Sequence, residues 1–369
     1  MKKVIHILPS IYSIDSRVIN ETKYLTKYYD VTVICYQNNE NDKNNYGLHL
    51  IEIKPTKFKF FNLIINAIKF CKLNDVKLIH CHDFQGLIIG HIINTYFFSK
   101  YTLIYDSHEL WSEAIYKKNK KNLVFRKIAI KIEKFIAKKV RNIITVSNSI
   151  KDYQTSYFNS NNIEVVRNIP SYMEKVESNY LREHFSISSE RKILIYQGLI
   201  SEARGVFDLY NNFNNCEESR NYSLVYLGYG PDADKLKELV KNNDNVFIHD
   251  KVKQNQISKI TCSADIGIHP LQNTCLNHEY ALPNKLFEYL NSGLVLITTE
   301  LTEMKNELDQ NKIGFCYSNS LELNEILKKL RLDKSLYDSI LSNVSHYNLN
   351  NNYENEMEIL EEYYLKLLT

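Results

Sequence analysis

Tyr280-Ala-Leu-Pro283-Asn284-Lys285-Leu-Phe287-Glu288-Tyr289-Leu-Asn-Ser-Gly293-Leu-Val-Leu-Ile297 carries the most specific pattern in the chain. Pro283 suits the first turn of a helix, where its missing N–H costs nothing. A helix over Asn284–Leu290 is predicted, and after Gly293 the apolar run Leu294–Thr298 reads as a buried strand. A helix feeding straight into an apolar strand is part of an α/β alternation.

Working outward, the same alternation fills the chain. In the second half the apolar runs are Ile193–Gln197, Ser223–Leu227, Val246–Ile248 and Ile266–His269, with helices expected at Val206–Asn212, Asp232–Lys241 and Gln256–Ala264. In the first half they are Val4–Leu8, Val31–Cys35, Leu48–Ile53, Leu78–Cys81, Thr102–Tyr105 and Ile143–Val146, separated by helical segments such as Asn20–Tyr28 and Leu63–Leu73. Short continuous apolar strands alternating with helices indicate parallel sheets covered on both faces. The fold class is therefore α/β, with two doubly wound, Rossmann-like domains facing a cleft. The expected boundaries are 1–170, a polar linker over 171–190, a second domain over 191–350, and a C-terminal helical segment over 351–369 that crosses back to the first domain. A length of 369 residues suits two domains of ordinary size.

Net charge is only +3, but it is uneven. Residues 1–172 hold 26 Lys/Arg against 14 Asp/Glu, and the remainder 20 against 29. Such a split suggests an anionic partner for the first half. Between Lys117 and Arg141 there are 11 basic residues and one acid, Glu133, with Ile128, Ile132, Phe135 and Ile136 at helical spacing. Lys54-Pro-Thr-Lys-Phe-Lys-Phe-Phe61 adds a basic, aromatic loop. An anionic membrane surface touching 54–61 and 117–141 is the partner expected, although the apolar face could equally pack on the sheet. The basic excess lacks the aromatic interleaving of a nucleic-acid motif, so no nucleic acid is expected. No segment is long and apolar enough to span a bilayer, and Val4–Leu8 is too short for a signal peptide, so a cytoplasmic location is expected. Seven scattered cysteines without a C-x-x-C pair argue against a zinc site and a disulfide framework.

Ligands of doubly wound folds bind beyond the carboxyl ends of the strands. After the first apolar run, Asp15 and Arg17 offer a contact at the cleft floor, or else a local pair and a helix cap. His82-Asp83 and Asp106-Ser-His108-Glu109 follow two other runs. There His108 can donate to a sugar hydroxyl, while Asp83 and Asp106 accept or orient the imidazole. Gly198 and Arg204-Gly205 follow the first run of the second domain, where Arg204 would pair with phosphate oxygens. Gly228-Tyr229-Gly230-Pro231 is a second loop that lets a ligand approach. Asp232-Ala-Asp234 resembles a metal-binding pair, but acidic residues belong in the first turn of a helix, so no metal is expected. The free N–H groups at Pro283-Asn284, with Lys285, would cradle a diphosphate, and Glu288 would take hydrogen bonds from ribose hydroxyls.

These pieces together resemble glycosyltransferase family 4, the retaining enzymes of the GT-B fold. The resemblance rests on Asp15-Ser-Arg17-Val, His82-Asp83, Tyr105-Asp-Ser-His-Glu109, Thr145-Val-Ser147, Val166-Arg-Asn168-Ile-Pro170, Gly198 with Arg204-Gly205, Gly228-x-Gly230-Pro231, and Pro283-Asn-Lys-Leu-Phe-Glu288-Tyr. It implies transfer of a sugar from a nucleotide-sugar donor, UDP- or GDP-linked, to a glycan or lipid-linked acceptor with retention of configuration, in surface polysaccharide synthesis. It further implies catalytic roles for His108, Lys285 and Arg204, and a donor site of Gly198, Arg204, Tyr229, Val252, Tyr280, Pro283, Asn284, Lys285 and Glu288. The acceptor side would hold Asp15, Arg17, Asp83, Asp106 and Glu109. No cofactor is implied, since the nucleotide sugar is a co-substrate. Glu288 matches the second glutamate of the family's Glu-x7-Glu motif, and Tyr280 stands where the first is usual. Leu199 stands where an arginine is common. A non-hydrolysing sugar-nucleotide epimerase and a catalytically weak scaffold of the same shape are the competing readings.

Overall fold

The computed structural model describes residues 1–38, 48–114, 120–171 and 177–369. Lys117 and Lys118 of the basic segment and residues 172–176 of the expected linker lie outside the described residues. The chain divides into two compact units. The first takes in Met1–Pro170, Cys275–Asn277 and Tyr353–Thr369; the second takes in Ser171–Thr274 and His278–Asn352.

The first unit is built on seven parallel strands: β1 (Lys3–Ile11), β2 (Asp30–Tyr36), β3 (His49–Ile53), β4 (Val76–His82), β5 (Thr102–Ser107), β6 (Ile143–Thr145) and β7 (Ile163–Val165). Their order is β3-β2-β1-β4-β5-β6-β7, so the direction of winding reverses between β1 and β4. Alternate residues of each strand face opposite layers. Ile5, Ile7, Ile79 and Cys81 pack against the helices Lys59–Leu73 and Asp83–Tyr96. Val4, Leu8, Leu78 and Ile104 pack on the other face, against the helix Ser16–Leu25 and the C-terminal helix Tyr353–Leu368. Met357, Leu360, Tyr363 and Tyr364 of that last helix are buried there, which makes it a full member of the first core.

The second unit has six parallel strands: β8 (Lys192–Leu199), β9 (Tyr222–Tyr229), β10 (Val246–His249), β11 (Ile266–His269), β12 (Val295–Thr299) and β13 (Gly314–Tyr317). Their order, β10-β9-β8-β11-β12-β13, reverses between β8 and β11. The stretch expected to be a polar linker contains the helix Tyr180–Phe185. Its Leu181 is fully buried and Arg182 pairs with Asp265 at 3.1 Å, so the segment belongs to the second unit.

The basic helix Lys120–Val140 also differs from its sequence reading. Its apolar positions divide between two sides. Ile136 and Ala137 are buried against Tyr105 and Phe158, whereas Val124, Ile128, Ile132 and Phe135 are 60%, 50%, 39% and 57% exposed.

Candidate active site

At the reversal point of the first sheet, register places polar residues side by side. His6 of β1 is paired with His80 of β4, and His82 with Asp106 of β5. All four share the parity of Val4, Leu78 and Ile104, so they face the layer containing the helix Ser16–Leu25 and the C-terminal helix. All four are fully buried. That layer contributes Arg17, Glu21 and Tyr364, which are 4%, 1% and 0% exposed.

Arg17 is not a surface contact. It donates to both oxygens of Asp106, at 2.8 and 3.0 Å, and to the Val166 carbonyl at 2.7 Å. Asp15 caps the helix, accepting from Val18 N at 3.2 Å, rather than pairing with Arg17. Asp106 also lies 3.1 Å from His82 Nδ1 and 3.0 Å from His108 Nε2. Burial alone would favour its neutral form, but Arg17 and His108 hold its carboxyl well below the usual range. His108 is half-buried at the end of β5, where burial opposes its charge. The carboxylates of Asp83 (3.4 Å from Nδ1) and Asp106 outweigh that and push it up to about 10, so it is an imidazolium at neutral pH. Asp83, the first residue of the helix Asp83–Tyr96, also accepts from His108 N at 3.3 Å and sits in the left-handed backbone region at φ 56°. Glu109 is exposed, and its carboxylate accepts from Asn277 Nδ2 at 3.2 Å.

Two sets of side chains in this cluster are close enough to share an ion, His6 with Glu21, His80 and His82, and His82 with Asp106 and His108. The Arg17 guanidinium, 3.0 Å from Glu21 and bonded to Asp106, sets a permanent cation against both. The arrangement fits a hydrogen-bonded network better than a metal centre.

In the second unit, the reversal point gathers the loops after β8 and β11. Gly198 is the penultimate residue of β8, and Arg204 closes the short turn Glu202–Arg204, exposed, its guanidinium without a hydrogen bond or ion pair among the described residues. Gly205 has φ 74°, and a Cβ there would overlap the Pro270 carbonyl, so only glycine lets this turn lie against the loop that follows β11. His269 ends β11, buried, with neither ring nitrogen bonded. Burial, then the charges of Arg204, Lys285 and His278, hold it down to about 3. Both basic residues therefore bear on one spot.

The helix Asn284–Asn291 starts directly after Pro283, as its sequence predicts. Lys285 Nζ donates to both oxygens of Glu288, each at 2.7 Å, and Gln197 Nε2 donates to the same carboxylate. Gln197, buried at the end of β8, is tied by Thr261 at 2.6 Å. Sequence reading passed over both Gln197 and His269, although each is a polar residue closing an apolar run, and that is their signal. Tyr280 is half-buried before this helix, while Glu279 bonds Thr302 N at 3.1 Å and Asn273. Tyr229 is 55% exposed, with Lys251 Nζ 4.6 Å above its ring, and Val252 follows in the same loop, half-buried. Asp232 does not cap its own helix. It accepts from Glu202 N at 2.8 Å and so braces the turn bearing Arg204.

Residues 15–169 match the family described as Glycosyltransferase Family 4, and residues 191–331 match Glycosyl transferases group 1. No curated protein matches the sequence. Among solved structures, the Anabaena protein Alr3699/HepE in complex with UDP is 14% identical with a TM-score of 0.78, covering 98% of each chain. Sucrose-phosphate synthase (tll1590) from Thermosynechococcus elongatus is 12% identical at 0.76, covering 99% of each. WaaG, a glycosyltransferase involved in lipopolysaccharide biosynthesis, is 14% identical at 0.65, covering 96% of this chain and 97% of its own. Identities this low speak to the fold. The two family matches together span most of the chain, which belongs to the family 4 and group 1 glycosyltransferases and has their GT-B architecture of two Rossmann-like domains.

Proposed function

We propose that this glycosyltransferase takes a sugar from a UDP- or GDP-sugar and passes it, with retention, to a lipid-linked saccharide during surface polysaccharide synthesis. The observation that carries the donor assignment is the Lys285–Glu288 pair on the first turns of the helix Asn284–Asn291, beside the sheet's reversal point. Donor binding exchanges partners there. The diphosphate draws Lys285 to itself, next to Arg204 and the free N–H groups of the helix start. Glu288, released from Lys285, turns its carboxylate to the ribose hydroxyls. When the glycosyl–phosphate bond breaks, the same cations stabilise charge developing on the leaving diphosphate. A leaving phosphate oxygen takes the proton of the acceptor hydroxyl, so no protein base is assigned. His108 hydrogen-bonds the transferred sugar. Asp232 already has a structural partner, which favours a metal-independent reaction.

A thermal-shift screen against UDP-, GDP- and ADP-sugars identifies the donor, and transfer assayed with and without EDTA tests metal independence. Glu288→Ala is expected to weaken nucleoside-diphosphate binding by about 10- to 100-fold, the worth of a charged hydrogen-bonded contact, with the fold retained. An unchanged Kd refutes the site. Donor turnover without any acceptor would point to epimerase chemistry instead.

A further inference from the structure

Gln197 is the last buried residue of β8, 3% exposed, and it is fastened within the second unit from three directions. Its backbone N–H donates to the Tyr289 hydroxyl at 2.7 Å. Tyr289 is fully buried on the helix Asn284–Asn291, packed so closely on β11 that a Cβ at Gly267 would overlap its ring. The side-chain oxygen of Gln197 lies 2.6 Å from Thr261 Oγ1, on the helix Gln254–Thr261, and Thr261 is buried as well. The side-chain nitrogen donates to Glu288 Oε2.

The chemistry of Glu288 decides which end of that amide faces it. Both of its oxygens accept from the Lys285 ammonium, each at 2.7 Å, so neither has a proton to give. An amide oxygen turned that way would set acceptor against acceptor, and the nitrogen is the end that fits. Thr261 Oγ1 also lies 2.9 Å from the Ile257 carbonyl. Whichever of its two acceptors takes the hydroxyl proton, the amide nitrogen stays on Glu288.

Glu288 therefore has two partners of different kinds. Lys285 is a long-stemmed cation whose side chain is 25% exposed, able to follow a diphosphate away from the carboxylate. Gln197 is buried and tied at its backbone and its far end, so it stays. Once Lys285 leaves, the Gln197 N–H still holds Oε2 and so fixes the plane of the carboxylate. Oε1 and the second lone pair of Oε2 are then open to two neighbouring hydroxyls. A carboxylate left to rotate would meet such a pair in the right plane only part of the time, and that loss of orientation weakens the contact. We infer that Gln197 is a positioning residue that presets Glu288 for the 2′,3′-diol of the donor ribose and so selects ribonucleotides over 2′-deoxyribonucleotides, which rests on the reading of Glu288 as the ribose contact.

Calorimetric titration of the full chain with UDP, GDP and their 2′-deoxy analogues tests it. The wild type is expected to bind the ribonucleotide about 10-fold more tightly than its 2′-deoxy analogue, the worth of one hydrogen bond to a charged group. A wild type without that preference overturns both readings. Gln197→Met keeps the volume and removes the amide, and the Thr261 hydroxyl still has the Ile257 carbonyl as acceptor. In this variant the preference is expected to fall to about 2-fold or less. The Kd for inorganic pyrophosphate, which engages only the Lys285 and Arg204 end of the site, is expected to stay at its wild-type value. A preference kept at the wild-type level, or pyrophosphate binding lost in the same proportion, overturns the positioning role. Should Gln197→Met fail to fold, Thr261→Val frees the far end of the amide and is expected to lower the preference about 3-fold, and an unchanged preference there overturns the role equally. Glu288→Ala tells the two readings apart. A preference that survives in it sinks Glu288 as the ribose contact, whereas one lost in Glu288→Ala and kept in Gln197→Met sinks Gln197 alone.

Discussion

Asp106 has no exposed surface and is held by Arg17, His82 and His108. Removing the charge from such a centre takes from two buried or half-buried cations, Arg17 and His108, the counter-charge they share, which costs about 3–5 kcal/mol. Asp106→Asn preserves shape, so its expected effect is electrostatic. Scanning calorimetry should show the transition of the first unit lowered by roughly 10 °C, and an unaltered transition would mean that the network carries little. At this scale the sequence was partly legible. His82, Asp83, Asp106 and His108 were readable because they follow apolar runs. His6 and His80 were not, because they lie inside such runs and look like strand residues. Their signal is a histidine recurring with period two, His80-x-His82, on a strand that otherwise faces a core. Arg17 and Asp106 are 89 positions apart, and nothing local to either announces that they are bonded to each other.

Among the elements, strands with long β-branched runs were legible in the sequence, and two of the four edge strands, β7 and β13, were not. Each is short, with three and four residues, and pairs on one side only, so neither needs a continuous apolar run. The C-terminal helix was legible as amphipathic, and its burial pattern gives that reading an energetic meaning. Leu360 is fully buried, whereas Leu365, five residues on, is 50% exposed. Leu360→Ala is expected to cost about 2–5 kcal/mol through lost contacts and the cavity left behind. Leu365→Ala should stay within about 0.5 kcal/mol of the wild type. Chemical denaturation followed in the first unit tests the pair, and equal effects would mean that the helix is not part of that core. Glu356 fastens the same helix, accepting from Arg167 N at 2.6 Å and Nε at 2.7 Å, and Tyr364, eight residues on, holds it again through His80.

For the whole molecule, the asymmetry of charge acquires a location in the first unit. The helices Lys59–Leu73, Asp83–Tyr96 and Lys120–Val140 cover one face of its sheet. Their outer sides leave Phe58, Phe61, Ile65, Val124, Ile128, Ile132 and Phe135 between 39% and 67% exposed, among the lysines that give this half its excess. Buried core positions would not leave so many large apolar side chains in water, and a solvated basic face would not contain them. The combination suits the headgroup region of an anionic bilayer, where aromatic and aliphatic side chains insert and each lysine contributes roughly 1 kcal/mol. No helix among the described residues is long and apolar enough to cross a membrane. Co-sedimentation with vesicles rich in anionic lipid is expected to show binding that weakens with salt. Ile128→Glu with Phe135→Glu should abolish it while UDP still binds, because both side chains are exposed and lie outside the nucleotide site. Equal binding to neutral and anionic vesicles, or none at low salt, would remove the membrane from the proposal and leave a soluble acceptor to be sought.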